Sequence, residues 1–142
     1  MELQYSVVER KINKFIEKYG AAELINYLEK YDTIVNKNDY GIWLEAKLRT
    51  SQEFGIPVAE LDGIYPNVDA RRVLVHICDR HVRMNRKAMA QLLNLSLRSI
   101  EGYIQYTDFM CSEKGAKVRA DFHEHYHNIL NKFKEWLSSR KI

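Results

Sequence analysis

Apolar residues recur at helical spacing along nearly the whole chain, and the strict alternation of a half-buried strand is absent. Val8, Ile12, Phe15 and Tyr19 stand 4, 3 and 4 residues apart, which predicts a first helix capped by Ser6 and ended by Gly20. Leu24, Leu28, Tyr31 and Val35 repeat the pattern in a second helix closing near Asn36. A third, capped by Asp39, carries Trp43, Leu44, Leu48 and Phe54, and Gly55 stops it. The stretch from Gly55 to Gly63 reads as a turn, a short helix begun by Pro57, and a second turn; proline costs little at a first helical position, where its missing N–H has no partner to lose. Tyr65-Pro66-Asn67 forms a connector, and Asp69 caps a helix over 70–82. From Gly115 to about Ser138, the residues Val118, Phe122, Tyr126, Ile129, Phe133 and Leu137 make an apolar stripe along one helix of roughly six turns or more. That stripe packs across the first helices or pairs with a second subunit, which gives a homodimer through the C-terminal helix as an expectation.

Residues 86–105 carry a denser signal. Asn85 can cap a short helix whose inward positions are Met89, Ala90 and Leu93, with Ala90 small where another helix crosses closely. Asn94 falls where the chain turns sharply, and asparagine tolerates positive φ better than any residue but glycine. Leu95 plugs the turn, Ser96 caps the next helix, and Ile100, Tyr103 and Ile104 face inward. Two short helices joined by a tight turn, with a preceding helix to complete the core, is the helix-turn-helix plan. The expected fold class is all-α: an N-terminal helical unit at 1–66, then a tri-helical helix-turn-helix domain with a long C-terminal helix at 67–142.

Charge divides along the same line. Residues 1–66 hold eight Lys/Arg against eleven Asp/Glu, whereas residues 67–142 hold fourteen against eight, so an overall charge of +3 conceals an acidic and a basic half. Between 71 and 98, seven cations (Arg71, Arg72, Arg80, Arg83, Arg86, Lys87, Arg98) face the single acid Asp79. Such asymmetry points the second half toward a polyanion. Arg86 and Lys87 fall in the first turn of one helix and Arg98 in the first turn of the next, where the positive end of the helix dipole disfavours cations. A phosphate backbone meeting both helix starts reverses that sign. Arg71, Arg72, Arg83, Arg86, Lys87, Ser96 and Ser99 are therefore the candidate phosphate contacts. Arg98, Glu101 and Gln105, outward on the second helix, are the candidate base readers: Arg for guanine, Glu for cytosine, Gln for adenine.

Asn94-Leu95-Ser96-Leu97-Arg98-Ser99-Ile100-Glu101 resembles the turn and recognition-helix start of LuxR-type (GerE-like) effector domains. More broadly, Phe54-Gly55-Ile56-Pro57-Val58-Ala59-Glu60-Leu61, then Ala70-Arg71-Arg72-Val73-Leu74-Val75, then 86–105, resembles the Trp-repressor-like C-terminal DNA-binding domain of the replication initiator DnaA, over roughly residues 54–126. The resemblance implies duplex DNA as partner. The initiator's Asp-His-Thr signature is absent, the turn is one residue shorter, and no G-x-x-x-x-G-K-[ST] loop is present, so no ATPase module accompanies the motif.

Other chemistry is sparse. His123-Glu124-His125-Tyr126-His127 matches H-E-x-x-H, but only Glu135 follows as a third ligand, so His123 and His127 are a weak metal pair and no cofactor is expected. Cys78 and Cys111 read as reduced thiols in apolar helices. Neither a signal peptide nor an apolar run of bilayer length is visible, and a cytoplasmic, non-enzymatic protein is expected. The function these features favour is sequence-preferring duplex DNA binding by a transcriptional regulator. A DNA-binding accessory factor in replication or mobile-element maintenance, and a protein-interaction module without DNA, are the alternatives.

Overall fold

The computed structural model describes residues 2–30, 37–62 and 67–140, and every regular element among them is helical. In chain order these are α1 (Glu2–Tyr19), α2 (Ala21–Lys30), α3 (Lys37–Phe54), a 3-10 turn (Val58–Leu61), α4 (Val68–Ile77) continuing into a π turn (Cys78–Val82), α5 (Arg86–Leu93), α6 (Leu97–Met110), α7 (Glu113–Val118) and α8 (Ala120–Ser139). The all-α class stands. Tyr31, Val35, Asn36 and the connector at 63–66 lie outside the described residues.

Glycine ends the first and third helices as predicted, with Gly20 at φ +93° and Gly55 at φ +67°. The predicted starts move. α1 already runs from Glu2, which puts Ser6 inside it, and α3 from Lys37, which puts Asp39 inside it. Asn67 takes the cap position of α4, while Asp69 in the first turn pairs with Arg72 and Arg119.

The larger correction is at the C-terminus. The single long helix from Gly115 is two helices, broken at Arg119, where the backbone is at φ −138°, ψ 80°. α7 packs hard against the end of α6, where a Cβ at Gly115 would collide with the Phe109 carbonyl oxygen and the Met110 backbone. Val118, before the break, leaves the stripe at 65% exposure.

One hydrophobic core gathers Trp43 and Leu44 of α3, Leu61, Val73, Leu74 and Ile77 of α4, Met89 and Leu93 of α5, Ile100 and Ile104 of α6, and Phe122, Ile129 and Phe133 of α8. Residues on both sides of the connector thus share the same interior. Because the α8 stripe is buried against this chain's own core, it offers no ground for pairing with a second copy. α1 and α2 lie at the periphery, touching the core through Phe15, Tyr19 and Tyr27.

Two polar networks join the helices, the first buried and the second reaching the surface at Arg80 and Asp108. Lys47, fully enclosed, donates to Glu23 at 2.7 Å and to Asp62 at 3.0 Å, and Tyr40 donates to Glu23 at 3.0 Å. The second joins three helices: His76 of α4 meets the Tyr126 hydroxyl of α8 at 2.6 Å and Asp108 of α6 at 2.7 Å, and Arg80 holds the other Asp108 oxygen at 2.6 Å. No helix among the described residues is long and apolar enough to cross a membrane.

Candidate nucleic-acid interface

The π turn after α4 ends with Arg83 in the left-handed region, at φ 59°, ψ 42°. Met84, buried, closes it by donating its N–H to the Cys78 carbonyl at 3.1 Å. Asn85 then caps α5, its side-chain oxygen accepting from the Ala88 N–H at 3.0 Å. At the other end Asn94 adopts φ 57°, ψ 41°, and the Leu95 N–H donates to the Ala90 carbonyl at 2.9 Å. Ser96 caps α6 by accepting from the Ser99 N–H at 3.1 Å. These three local devices stand where the residue types predicted them.

α4 and α5 both pack on α6, whose inward residues are Ile100, Ile104, Thr107 and Met110. Arg98, Glu101, Gly102 and Gln105 are all exposed, and helical spacing gathers them on one outward stripe. Phe109 prolongs the stripe at 47% exposure. The structure therefore brings the three candidate base readers together on one face.

The phosphate candidates divide. Arg83, Lys87 and Arg98 are exposed, and their side chains enter no ion pair among the described residues. The first turns of α5 and α6 contain no acid to balance Arg86, Lys87 or Arg98. Arg86 is exposed too, but its Nε and Nη2 bind the two Asp79 oxygens at 2.9 and 3.4 Å, which raises its pKa above the ordinary arginine value. The Ser96 hydroxyl is engaged as a cap and lies 3.0 Å from the Ser99 hydroxyl, which flanks the same helix start.

Two candidates drop out. Arg71 has 0% exposure, since α4 is enclosed by α3, α6 and α8 and its inward face is wider than a simple amphipathic stripe. Arg72 binds Asp69 at 3.0 Å and stacks its guanidinium 3.7 Å from the centre of the Tyr106 ring. Arg71 has no path to an external phosphate, and Arg72 is held by its partners within the fold.

Sequence reasoning missed Arg119. It grips both Asp69 oxygens at 3.2 and 2.9 Å, Asp121 at 2.9 Å and the Tyr106 hydroxyl at 3.1 Å, tying the start of α8 to α4 and α6. Burial alone would raise the Asp69 pKa, but hydrogen bonds from Arg119 and Arg72 hold it below the ordinary value. Burial likewise works to raise Asp108, and His76 with Arg80 reverses it. The two cysteines are free; burial pushes the Cys78 thiol far up and that of Cys111 to about 11. Both are poor nucleophiles at neutral pH.

His123 and His127 lie one turn apart on α8 with their Nε2 atoms 3.2 Å from each other, and no group of three metal-ligating side chains occurs among the described residues. No family model, no curated protein and no solved structure matches this chain.

Proposed function

We propose that this protein binds double-stranded DNA with sequence preference, as a transcriptional regulator, through the outward face of α5 and α6. The observation that carries the reading is the exposed pair of capped helix starts with cations and no acids in their first turns. Lys87 and Arg98 are each disfavoured by about 0.3–1 kcal/mol in the free protein, which an external anion would return, whereas Arg86 already has Asp79 beside it. Arg83, Lys87 and Ser99 anchor phosphates, with Arg86 oriented by Asp79. Arg98, Glu101 and Gln105 read base edges. The resemblance of 86–105 to the DnaA-like domain, and of 94–101 to LuxR-type domains, supports the same face.

Binding of random duplex measured against salt tests this. Phosphate neutralisation gives a steep log–log slope, which Lys87→Ala should reduce by about one. Arg86→Ala should change the slope less, since Asp79 already neutralises that guanidinium. Arg98→Ala should cost about 1–3 kcal/mol on a selected site and relax its base preference. Binding without salt dependence, or variants that bind like the parent, would overturn the reading in favour of a protein-interaction module.

A further inference from the structure

The histidine pair on α8 has a geometry that the DNA-binding face does not explain. His123 and His127 are separated by one helical turn, their ring centroids lie 4.3 Å apart, and their Nε2 atoms approach to 3.2 Å. In the free protein that distance is an N–H···N hydrogen bond: one ring donates, the other accepts. It is also the separation of two imidazole ligands on one ion. With metal–nitrogen bonds of about 2.0–2.1 Å, a 3.2 Å span subtends ~100° at the metal, between the octahedral and tetrahedral angles. We propose that His123 and His127 form a two-point chelate for a divalent first-row transition metal, Cu(II) before Ni(II) or Zn(II), with water filling the remaining positions.

Two features of the surroundings favour this. The pair is held in place: Tyr126, fixed by its 2.6 Å hydrogen bond with His76, meets the His127 ring edge-on with centroids 5.6 Å apart. Less ordering entropy is then lost on binding. In addition, His127 is exposed and His123 half-buried, leaving room for the water ligands that two protein donors require. Imidazole donors select Cu, Ni and Zn over Mg and Ca, and the stability order of divalent ions peaks at Cu(II). Lys134 works against the cation and limits its affinity.

The test is calorimetric titration of the full chain with Cu(II), Ni(II), Zn(II) and Mg(II) chlorides at pH 7, with thermal melts followed by helical circular dichroism. The parent should bind Cu(II) most tightly, bind Mg(II) not at all, and melt at a higher temperature with Cu(II) present. His123→Ala and His127→Ala should each weaken Cu(II) binding at least about tenfold and abolish that shift, since losing a ligand costs no less than losing its supporting partner. His125→Ala, whose ring instead contacts Glu53 and Phe54, should bind Cu(II) like the parent, and Lys134→Gln should bind it more tightly. Unchanged Cu(II) affinity in the His123 and His127 variants, or an equal loss in the His125 variant, would overturn the proposal.

Discussion

The charges between α2 and α3 and the charges at the starts of α5 and α6 have opposite fates. Lys47 is enclosed with Glu23, and Asp62 and Tyr40 complete the set, so each polar group finds its partner inside the chain. Lys87 and Arg98, in the first turns of their helices, lie in solvent with no carboxylate among the described residues set against them. The first arrangement uses charge to dock one helix on another, since ions removed from water are tolerable only when paired and hydrogen-bonded. The second gains nothing for the fold and slightly opposes it through the helix dipoles. A cation that the fold neither needs nor neutralises is the better guide to an external partner.

The sharpest way to break that contrast is to remove one cation from each region. Lys47→Met strands Glu23 without a counter-charge, and the expected loss is about 3–5 kcal/mol of unfolding free energy by urea denaturation. Pairing it with Glu23→Gln should recover part of the loss, because the stranded charge is then gone. Lys87→Met, in contrast, should leave stability within about 0.5 kcal/mol while weakening duplex binding. Equal losses from Lys47→Met and Lys87→Met would erase the distinction.

A smaller effect comes from the network that joins α6 to the rest of the core. Burial lowers the His76 pKa below 6.5 against the opposite pull of the Asp108 hydrogen bond; Arg80 lowers it too and Asp79 raises it. With a folded pKa below the unfolded one, the neutral ring contributes stability that is fully present above pH 6.5. That contribution is lost as pH falls through the folded value. Urea midpoints should therefore decline below pH 6.5, with Asp69 and Asp108, also depressed, adding to the loss at still lower pH. His81 and His127 are lowered as well and contribute with the same sign, so His76→Gln should shrink the slope below pH 6.5 rather than abolish it. An unaltered slope in His76→Gln would remove His76 from the account.

Local chemistry was legible in the sequence wherever a residue type answers a backbone need. Asn85, Asn94, Ser96, Gly20 and Gly55 each do what their side chains, or lack of one, allow. The inward positions of α5, α6 and α8 followed from spacing for the same reason. What the sequence concealed is three-dimensional. Arg71 looks like any surface arginine until α4 is seen enclosed by three helices. The break at Arg119 could not be read from an apolar stripe that continues through it in the sequence, nor could the close packing of Gly115 on the end of α6. Of the proposed interface, the outward set Arg98, Glu101 and Gln105 and the cations Arg83, Arg86 and Lys87 were accessible from periodicity, whereas the capture of Arg72 by Asp69 and Tyr106 was not.

The smallest effect bears most directly on the comparison. Gly41 in α3 and Gly102 in α6 both occupy exposed helix interiors, and a Cβ at either would meet nothing within 4 Å. Glycine there costs about 0.5–1 kcal/mol relative to alanine, so Gly41→Ala and Gly102→Ala should each raise unfolding free energy by that amount. The fold treats the two positions alike; a duplex would not. Gly102 lies amid Arg98, Glu101 and Gln105, where a helix entering the major groove brings its backbone against the groove wall, and an added methyl group there holds it off. Gly102→Ala should thus be more stable yet bind a selected duplex more weakly, whereas Gly41→Ala should be more stable and bind unchanged. Measured by urea denaturation and by duplex titration on the same preparations, opposite signs at Gly102 cannot arise from misfolding, because the weaker binder is the more stable protein. Should Gly102→Ala bind as tightly as Gly41→Ala, the α6 face does not enter a groove closely enough to read it.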